Sequence, residues 1–214
     1  GAFEGCSSLT SIIIPESVTA IGRFAFEFCS SLANINIPNG VTVINHGAFF
    51  GCTSLKSITI PKSTTWISQL FLGCDSLISI VIEEGNTKYD SRDNCNAIIR
   101  TENNELIMGC AATIIPDSVT KIGEEAFSDL STLTSIVIPK GVKKIESRAF
   151  NKCCNLESIT LPIGVNKIDE HAFYDCHSLQ TIYVPAKKAE YYKQRLCYCF
   201  HEKIVELTSV KSPK

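Results

Sequence analysis

The sequence has little of what catalytic and electrostatic binding sites are usually built from. Its 214 residues include four histidines, one tryptophan and one methionine, and the formal net charge is only −2. So small a charge argues against a nucleic-acid or anionic-membrane partner held by bulk electrostatic attraction. No apolar run approaches the roughly 20 residues of a membrane helix, so we expect no membrane insertion by this stretch of chain.

What the sequence does contain is one phrase, repeated. The segment "AFFGCTSLKSITIP" at 48–61 returns as "AFEGCSSLTSIIIP" at 2–15 and as "AFYDCHSLQTIYVP" at 172–185. The repeat prolines are spaced by 23, 23, 55, 23, 23 and 23 residues, at Pro15, Pro38, Pro61, Pro116, Pro139, Pro162 and Pro185. A fixed period of this size indicates a solenoid, and 23 lies within the range of leucine-rich repeats.

The repeat unit, AFxxCxSLxxIxIPxxVxxI, predicts two short extended segments and a turn. Apolar residues alternate just before the proline, as in a strand with one buried face, and the proline ends that strand. The valine and isoleucine that follow begin a second extended piece. The "AF" segment is expected to turn the chain as a 3₁₀ or single α turn. One coil cannot cover its own apolar face, so stability must come from contacts between stacked coils.

A cysteine recurs three residues after the repeat phenylalanine. It stands at Cys6, Cys29, Cys52, Cys74, Cys153 and Cys176, and the seventh equivalent position is Leu130. Leucine does not replace a catalytic or metal-binding thiol, whereas it does replace a small buried hydrophobe. The series is therefore predicted to be a packing ladder of free thiols, in preference to a reactive or metal-binding array.

The segment "SLTSIIIPESVTAIGRFAFEFCSSL" closely resembles the BspA-like (Treponema-type) leucine-rich repeat, and the resemblance recurs in register along nearly the whole chain. It implies a curved leucine-rich repeat solenoid, a right-handed superhelix of β/α type with a parallel β-sheet on one face. It also implies a secreted or cell-surface protein, bacterial or from a parasitic protozoan, that acts in adhesion and protein–protein contact. No catalytic residue or cofactor is attached to the repeat, so none is carried over.

The repeat is interrupted once. We predict a single domain, 1–214, made of four segments: N-terminal repeats at 1–82, an irregular insertion at 83–113, C-terminal repeats at 114–185, and a cap and tail at 186–214. In the insertion, Asn103-Asn104 is predicted to turn a β-hairpin that pairs Ile99 with Met108 and Ala97 with Cys110. A Cys95–Cys110 disulfide is compatible with this hairpin but is not favoured by it.

The two ends differ in character. "AKKAEYYKQRLCYCF" at 186–200 is predicted to form a helix and "EKIVEL" a last strand, which together would cap the final coil. The chain opens in the middle of a repeat, which is expected of a fragment of something longer.

Candidate chemical sites are weak. The loop "YDSRDNCN" offers carboxylate and amide oxygens without the spacing of an EF-hand, and "CYCFH" offers only three metal ligands, Cys197, Cys199 and His201. The four histidines are scattered, with no paired carboxylates on a shared motif and no glycine-rich phosphate loop. We therefore predict no metal, no cofactor and no enzymatic activity.

The candidate interaction surface is the outward side of the strands, expected to be concave. Of its fourteen outward positions none is charged. Most of our candidates are the second outward residue of a repeat strand, which stands two residues before the repeat proline or, for Val81, before Glu83: Ile13, Asn36, Thr59, Val81, Val137, Thr160 and Tyr183. Trp66 joins them from a second stripe, in which Lys121, Lys144 and Lys167 are expected to form a solvated face offset by nearby acids. Such a surface suits an extracellular protein or glycan, although the same residue types simply favour strands.

The sequence leaves two functions open. The first is a non-enzymatic interaction module that binds an extracellular protein or glycan. The second is a structural spacer that presents another domain and has no ligand of its own.

Overall fold

The computed structural model describes residues 1–207, which wind into a solenoid of about eight coils with the predicted period. Most coils contribute two short strands, one on each side of the repeat proline. Strands before the proline form sheet A: β3 Ser57–Ile60, β5 Ser79–Ile82, β10 Ser135–Val137, β12 Ser158–Thr160 and β14 Thr181–Pro185, joined by β15 Ile204–Leu207. Strands after it form sheet B: β1 Ala20–Ile21, β2 Val43–Ile44, β4 Trp66–Ile67, β9 Lys121–Ile122, β11 Lys144–Ile145 and β13 Lys167–Ile168.

Neighbouring coils stack in register. In sheet A, β3 pairs with β5, and β10, β12, β14 and β15 pair in that order, all parallel. Residues one period apart face each other, as Ser135 faces Ser158 and Ser158 faces Thr181. Burial alternates along each strand, so isoleucines point inward and hydroxyl or aliphatic residues point outward.

Between the strands of sheet B and the recurring cysteine, the chain turns without forming a helix. Backbone N–H groups alternate between their own coil and the next: Ala25 donates to Gly22 O at 3.3 Å, and Phe26 donates to Ala48 O at 2.9 Å. The residue two after the repeat phenylalanine has a positive φ in each coil: Gly5, Phe28, Gly51, Gly73, Asp129, Lys152 and Asp175. The expected 3₁₀ or α turn is thus replaced by a series of tight turns whose remaining donors bind the adjacent coil.

The repeat phenylalanines stack along the solenoid axis. One stack runs through Phe3, Phe26, Phe49 and Phe71, and a second through Phe127, Phe150 and Phe173, with ring centroids 5.2–5.8 Å apart. The cysteines lie beside these rings as the predicted ladder, and the structure adds a polar role for them. The Sγ of Cys52 donates to Phe26 O of the preceding coil at 3.1 Å, and the Sγ of Cys153 donates to Phe127 O at 3.0 Å.

The insertion forms the predicted hairpin, but the predicted register is wrong. Strands β6 Tyr89–Asp90, β7 Ala97–Arg100 and β8 Glu105–Gly109 pair antiparallel, and β8 joins β9 of sheet B in parallel. Ala97 faces Gly109, not Cys110, and Ile99 faces Leu106, not Met108, with a register shift between Ile98 and Ile99. The predicted register assumed regular pairing on both sides of a two-residue turn at Asn103-Asn104, and regular pairing does not allow for that shift.

Both faces of the hairpin are buried, and it divides the core. Ile98, Met108 and Cys110 pack with the N-terminal coils. Cys95, Ala97, Ile99 and Leu106 pack with the C-terminal coils. Cys95 and Cys110 are free thiols in separate clusters, so the hairpin directs them away from the disulfide that the sequence left open.

At the C-terminal end the predicted helix over 186–200 is largely wrong. The α-helix α1 covers only Ala189–Lys193, and a 3₁₀ helix follows at Tyr198–Lys203. Tyr192 in this short helix is fully buried, and its hydroxyl donates to Pro162 O, which docks α1 on the preceding coil. The predicted last strand is present as β15 and extends sheet A. The final seven residues of the predicted tail lie outside the described part of the chain.

No helix within residues 1–207 has the length and apolar character of a membrane span.

Gly141 shows how closely the coils approach. A Cβ at this position would lie 2.0 Å from Asp117 O and 2.7 Å from Val119 O, both backbone atoms of the preceding coil. We therefore expect Gly141→Ala to lower the free energy of unfolding by about 1–3 kcal/mol through overpacking. Ser118→Ala, at the equivalent position one coil earlier, is expected to have little effect. Urea unfolding of both variants checks this, and equal losses would contradict it.

Candidate binding surfaces

The predicted candidates of the first stripe share one outward row on sheet A. Ile13 is 92% exposed and Val137 is 67% exposed, whereas Thr160 and Tyr183 are half-buried. Strand pairing joins Ile13 to Asn36, Thr59 to Val81, and Val137 to Thr160 and then Tyr183. These seven residues are the predicted members of what we call the sheet A row, and the pairings place the members of each paired group side by side.

The row has two members that the sequence analysis missed. Ile114 is 76% exposed and stands two residues before Pro116, as Ile13 stands before Pro15. Val205 of the cap strand is exposed and faces Tyr183. The proline spacing was a sufficient signal for Ile114, but the residue follows the insertion directly and lies in no strand. Nothing in the repeat pattern marks Val205.

The insertion also interrupts the row. The Ser91 hydroxyl accepts the Ile82 N–H at 3.0 Å, and Cys95 O accepts the Ile114 N–H at 3.1 Å. The loop between them, with exposed Asp93 and Asn94, therefore separates Val81 from Ile114. The row consists of an N-terminal stretch of four residues and a C-terminal stretch that begins at Ile114.

Trp66 does not join this row, because it lies on sheet B. Its strand β4 pairs with β2 on one side, which places Trp66 beside Val43. The side chain is 59% exposed, so it is not buried under the hairpin. On its other side β4 pairs with no strand of residues 1–207, and the Ile67 N–H donates instead to the Tyr89 hydroxyl at 3.2 Å.

An open cleft of about 340 Å³ lies beside Trp66, between β4 and the insertion. Trp66 lines it from β4, and Lys88, Arg100 and Asn103 line it from the insertion. Tyr89 also lines the cleft but is 4% exposed, which puts its ring at the bottom. We call this feature the Trp66 cleft.

Behind the cleft lies an ion-pair network centred on Glu105, a carboxylate only 7% exposed. Arg100 donates to it from β7, and Lys121 Nζ lies 2.7 Å from its other oxygen. Lys121 is also 3.8 Å from Glu146. A buried carboxylate with two cationic partners is well compensated, whereas removing either partner would leave it costly to bury.

Two thiols of the ladder, Cys52 and Cys74, and the Cys95 thiol of the insertion are poor nucleophiles. Burial raises the pKa of Cys52 from 9.0 to about 12 and that of Cys95 to about 11. Burial is also the largest cause of the raised pKa of Cys74. These groups therefore stay protonated near neutral pH, which suits donors to backbone carbonyls rather than attacking thiolates. Within residues 1–207, no group of three or more His, Cys, Asp or Glu side chains is arranged to hold a metal ion.

Comparison with known proteins agrees with the geometry of the coils. The family model described as "BspA type Leucine rich repeat region" matches residues 1–101 and 108–214 in six copies. The chain belongs to the BspA-type leucine-rich repeat family. No curated protein sequence matches this BspA-type chain.

Solved structures of bacterial leucine-rich repeat proteins share the fold. A leucine-rich cell surface protein from Faecalibacterium prausnitzii is 25% identical over 89% of this chain and 64% of its own, with a TM-score of 0.54. The pneumococcal vaccine antigen PcpA is 26% identical over 82% and 39%, with a TM-score of 0.54. A leucine-rich repeat protein from Eubacterium ventriosum, at 24% identity over 86% and 56% and a TM-score of 0.64, supports the fold alone. This BspA-type chain thus spans less than two thirds of each of the three proteins.

Proposed function

We propose that this chain is a non-enzymatic binding module of a secreted or cell-surface bacterial protein, and that the sheet A row binds an extracellular protein partner in adhesion or host contact. The observation that carries the proposal is the row itself. Its positions are uncharged, and Ile13, Ile114 and Val137 are 92%, 76% and 67% exposed. Exposed apolar residues on a fixed scaffold are what a protein interface buries.

The family and its solved members support a surface location. The Faecalibacterium prausnitzii protein is described as a cell surface protein, and PcpA as a vaccine antigen. Extracellular placement is also compatible with a cysteine ladder whose members after Cys6 are buried, free thiols.

The alternative role is a spacer that holds another domain away from the surface. It is favoured by the stacking of coils in register and by the greater length of the structurally similar proteins. A spacer needs no saturable partner, so a binding experiment separates the two roles.

The test presents the folded chain on a sensor surface to purified extracellular-matrix proteins and mucins. We expect saturable binding to at least one of the proteins, competed by the soluble chain and weakened about tenfold by Ile114→Glu, which adds a charge to the middle of the row. Binding that never saturates, or that Ile114→Glu leaves unchanged, would contradict the proposal and favour the spacer.

A further inference from the structure

Sheet B is discontinuous at Trp66, and the discontinuity makes a concave site. Strands β1, β2 and β4 form one sheet, and β6, β7, β8, β9, β11 and β13 form another. The Trp66 cleft lies at the break between them. Here an exposed aromatic ring of sheet B borders the cleft.

Trp66 is suited to stack against a ligand. Its neighbours in the same row, Ala20 and Val43, are small, so its ring stands clear of them. A flat, exposed indole beside a cleft offers an apolar face together with an N–H donor. The C–H face of a pyranose ring stacks on such a surface, while hydroxyl groups reach donors and acceptors such as Asn103 at the margin.

The cleft carries more positive than negative charge. Lys88 is exposed and has no ion-pair partner among residues 1–207. Arg100 uses Nη1 to bind Glu105 and retains further donors. Among the described residues, Glu102 is the single acid that lines the cleft. The balance favours a carboxylate or other anion on the ligand over a cation.

Beyond the cleft, one row of sheet B runs in register from Arg100 through the buried Glu105 to Lys121, Lys144 and Lys167. Glu105 and Glu146 satisfy Lys121. Lys144 and Lys167 face each other directly, both exposed, and in the described part of the chain neither lies within ion-pair distance of an acid. Like charges directly opposite in a sheet are destabilising, so the fold gains nothing from this pair, whereas a bound polyanion would relieve the repulsion.

We propose that the Trp66 cleft binds one sugar ring of an acidic, carboxylate-bearing glycan, and that the glycan chain crosses sheet B to Lys144 and Lys167. The path covers five or six strand steps, roughly 25–30 Å, which suits a linear oligosaccharide. An extended acidic peptide fits less well. The Tyr89 hydroxyl already accepts a hydrogen bond from the Ile67 N–H, so a peptide cannot use this donor to add as a strand to the open edge of β4. The site is separate from the sheet A row and does not depend on the protein-binding role.

Trp66 is the only tryptophan in the chain, so its fluorescence reports on the cleft alone. The probe is a hyaluronan octasaccharide, which carries a carboxylate on every second sugar, and the control ligand is its methyl ester. We expect the octasaccharide to change the emission saturably and the ester to bind several-fold more weakly. Lys88→Gln should weaken the octasaccharide about threefold. Lys56→Gln, which removes an exposed lysine outside the cleft, should not.

A second comparison tests the path. The double variant Lys144→Gln/Lys167→Gln should weaken the octasaccharide but leave a tetrasaccharide unaffected, because the shorter chain does not reach the lysines. No saturable change in emission at millimolar ligand, equal affinity for the methyl ester, or equal weakening by Lys56→Gln and Lys88→Gln would each overturn the proposal. Loss of tetrasaccharide binding in the double variant would overturn the path. None of these outcomes alters the sheet A test, which uses other residues and a protein ligand.

Discussion

Replacing Phe150 with alanine is expected to lower the free energy of unfolding by about 3–5 kcal/mol, the usual cost of removing a buried phenyl ring. Phe150 is fully buried and stacks on Phe127 at 5.2 Å and on Phe173 at 5.4 Å. In a solenoid the coils are stabilised mainly by their neighbours, so the loss weakens two coil interfaces at once.

Phe3→Ala is the matched control, because Phe3 occupies the same repeat position in the first coil. Its side chain is 38% exposed and stacks only on Phe26 among the described rings. We expect Phe3→Ala to cost less than half as much as Phe150→Ala. Equilibrium urea unfolding measures the free energy of unfolding of both variants. Similar losses of this free energy would show that the stacked rings do not stabilise the interfaces between coils.

Alkylation of the folded protein at about pH 8 is expected to modify four cysteines rapidly and to spare seven. Cys6, Cys154, Cys197 and Cys199 are exposed, and the other seven are buried. A pKa of about 12 in place of 9.0 lowers the thiolate fraction of Cys52 about 1000-fold, and burial blocks the reagent as well. Mass spectrometry of tryptic peptides counts the labels. Rapid labelling of Cys52 or Cys74 in the folded chain would contradict the ladder.

Two further results follow from the same thiols. In denaturant all eleven cysteines should react, and fewer would reveal a disulfide that the structure does not contain. Stability should also fall in alkali. Below pH 9 the Cys52 thiol is protonated in both the folded and the unfolded chain. Between about pH 9 and 12 only the unfolded chain loses this proton, which favours unfolding.

The repeating parts of the fold were predictable from the sequence because one rule applies to each coil. The alternation before the proline placed Ile58 and Ile60 in the core, and the replacement of cysteine by Leu130 identified the ladder as packing. The left-handed turn residues were not predictable in the same way. A glycine such as Gly51 indicates a positive φ in the sequence. Phe28 and Lys152 give no such signal, and they adopt a positive φ because the adjacent coil accepts hydrogen bonds from the N–H groups that the turn leaves free.

The insertion and the cap escaped prediction because tertiary contacts decide them. β7 is buried on both faces, so alternation carried no information about its register, and the shift between Ile98 and Ile99 could not be inferred. The C-terminal helix is shorter than its sequence suggested and is held by the contact of Tyr192 with the preceding coil, which the local sequence does not show. The Trp66 cleft exists only because β4 and β6 do not pair. The pattern of a single repeat does not predict whether these two strands pair.

The most direct test of the central claim compares two matched substitutions on the chain bound to its protein partner. Val137 in the sheet A row is 67% exposed, and Ile163 outside the row is 63% exposed. Each exposes an aliphatic side chain of similar size, so the two glutamate substitutions change the charge and the hydrophobicity of the surface by about the same amount. If sheet A is the binding surface, Val137→Glu should weaken the partner about tenfold while Ile163→Glu changes its affinity by less than about twofold. Equal affinities for the two variants would contradict the assignment of the binding surface to sheet A.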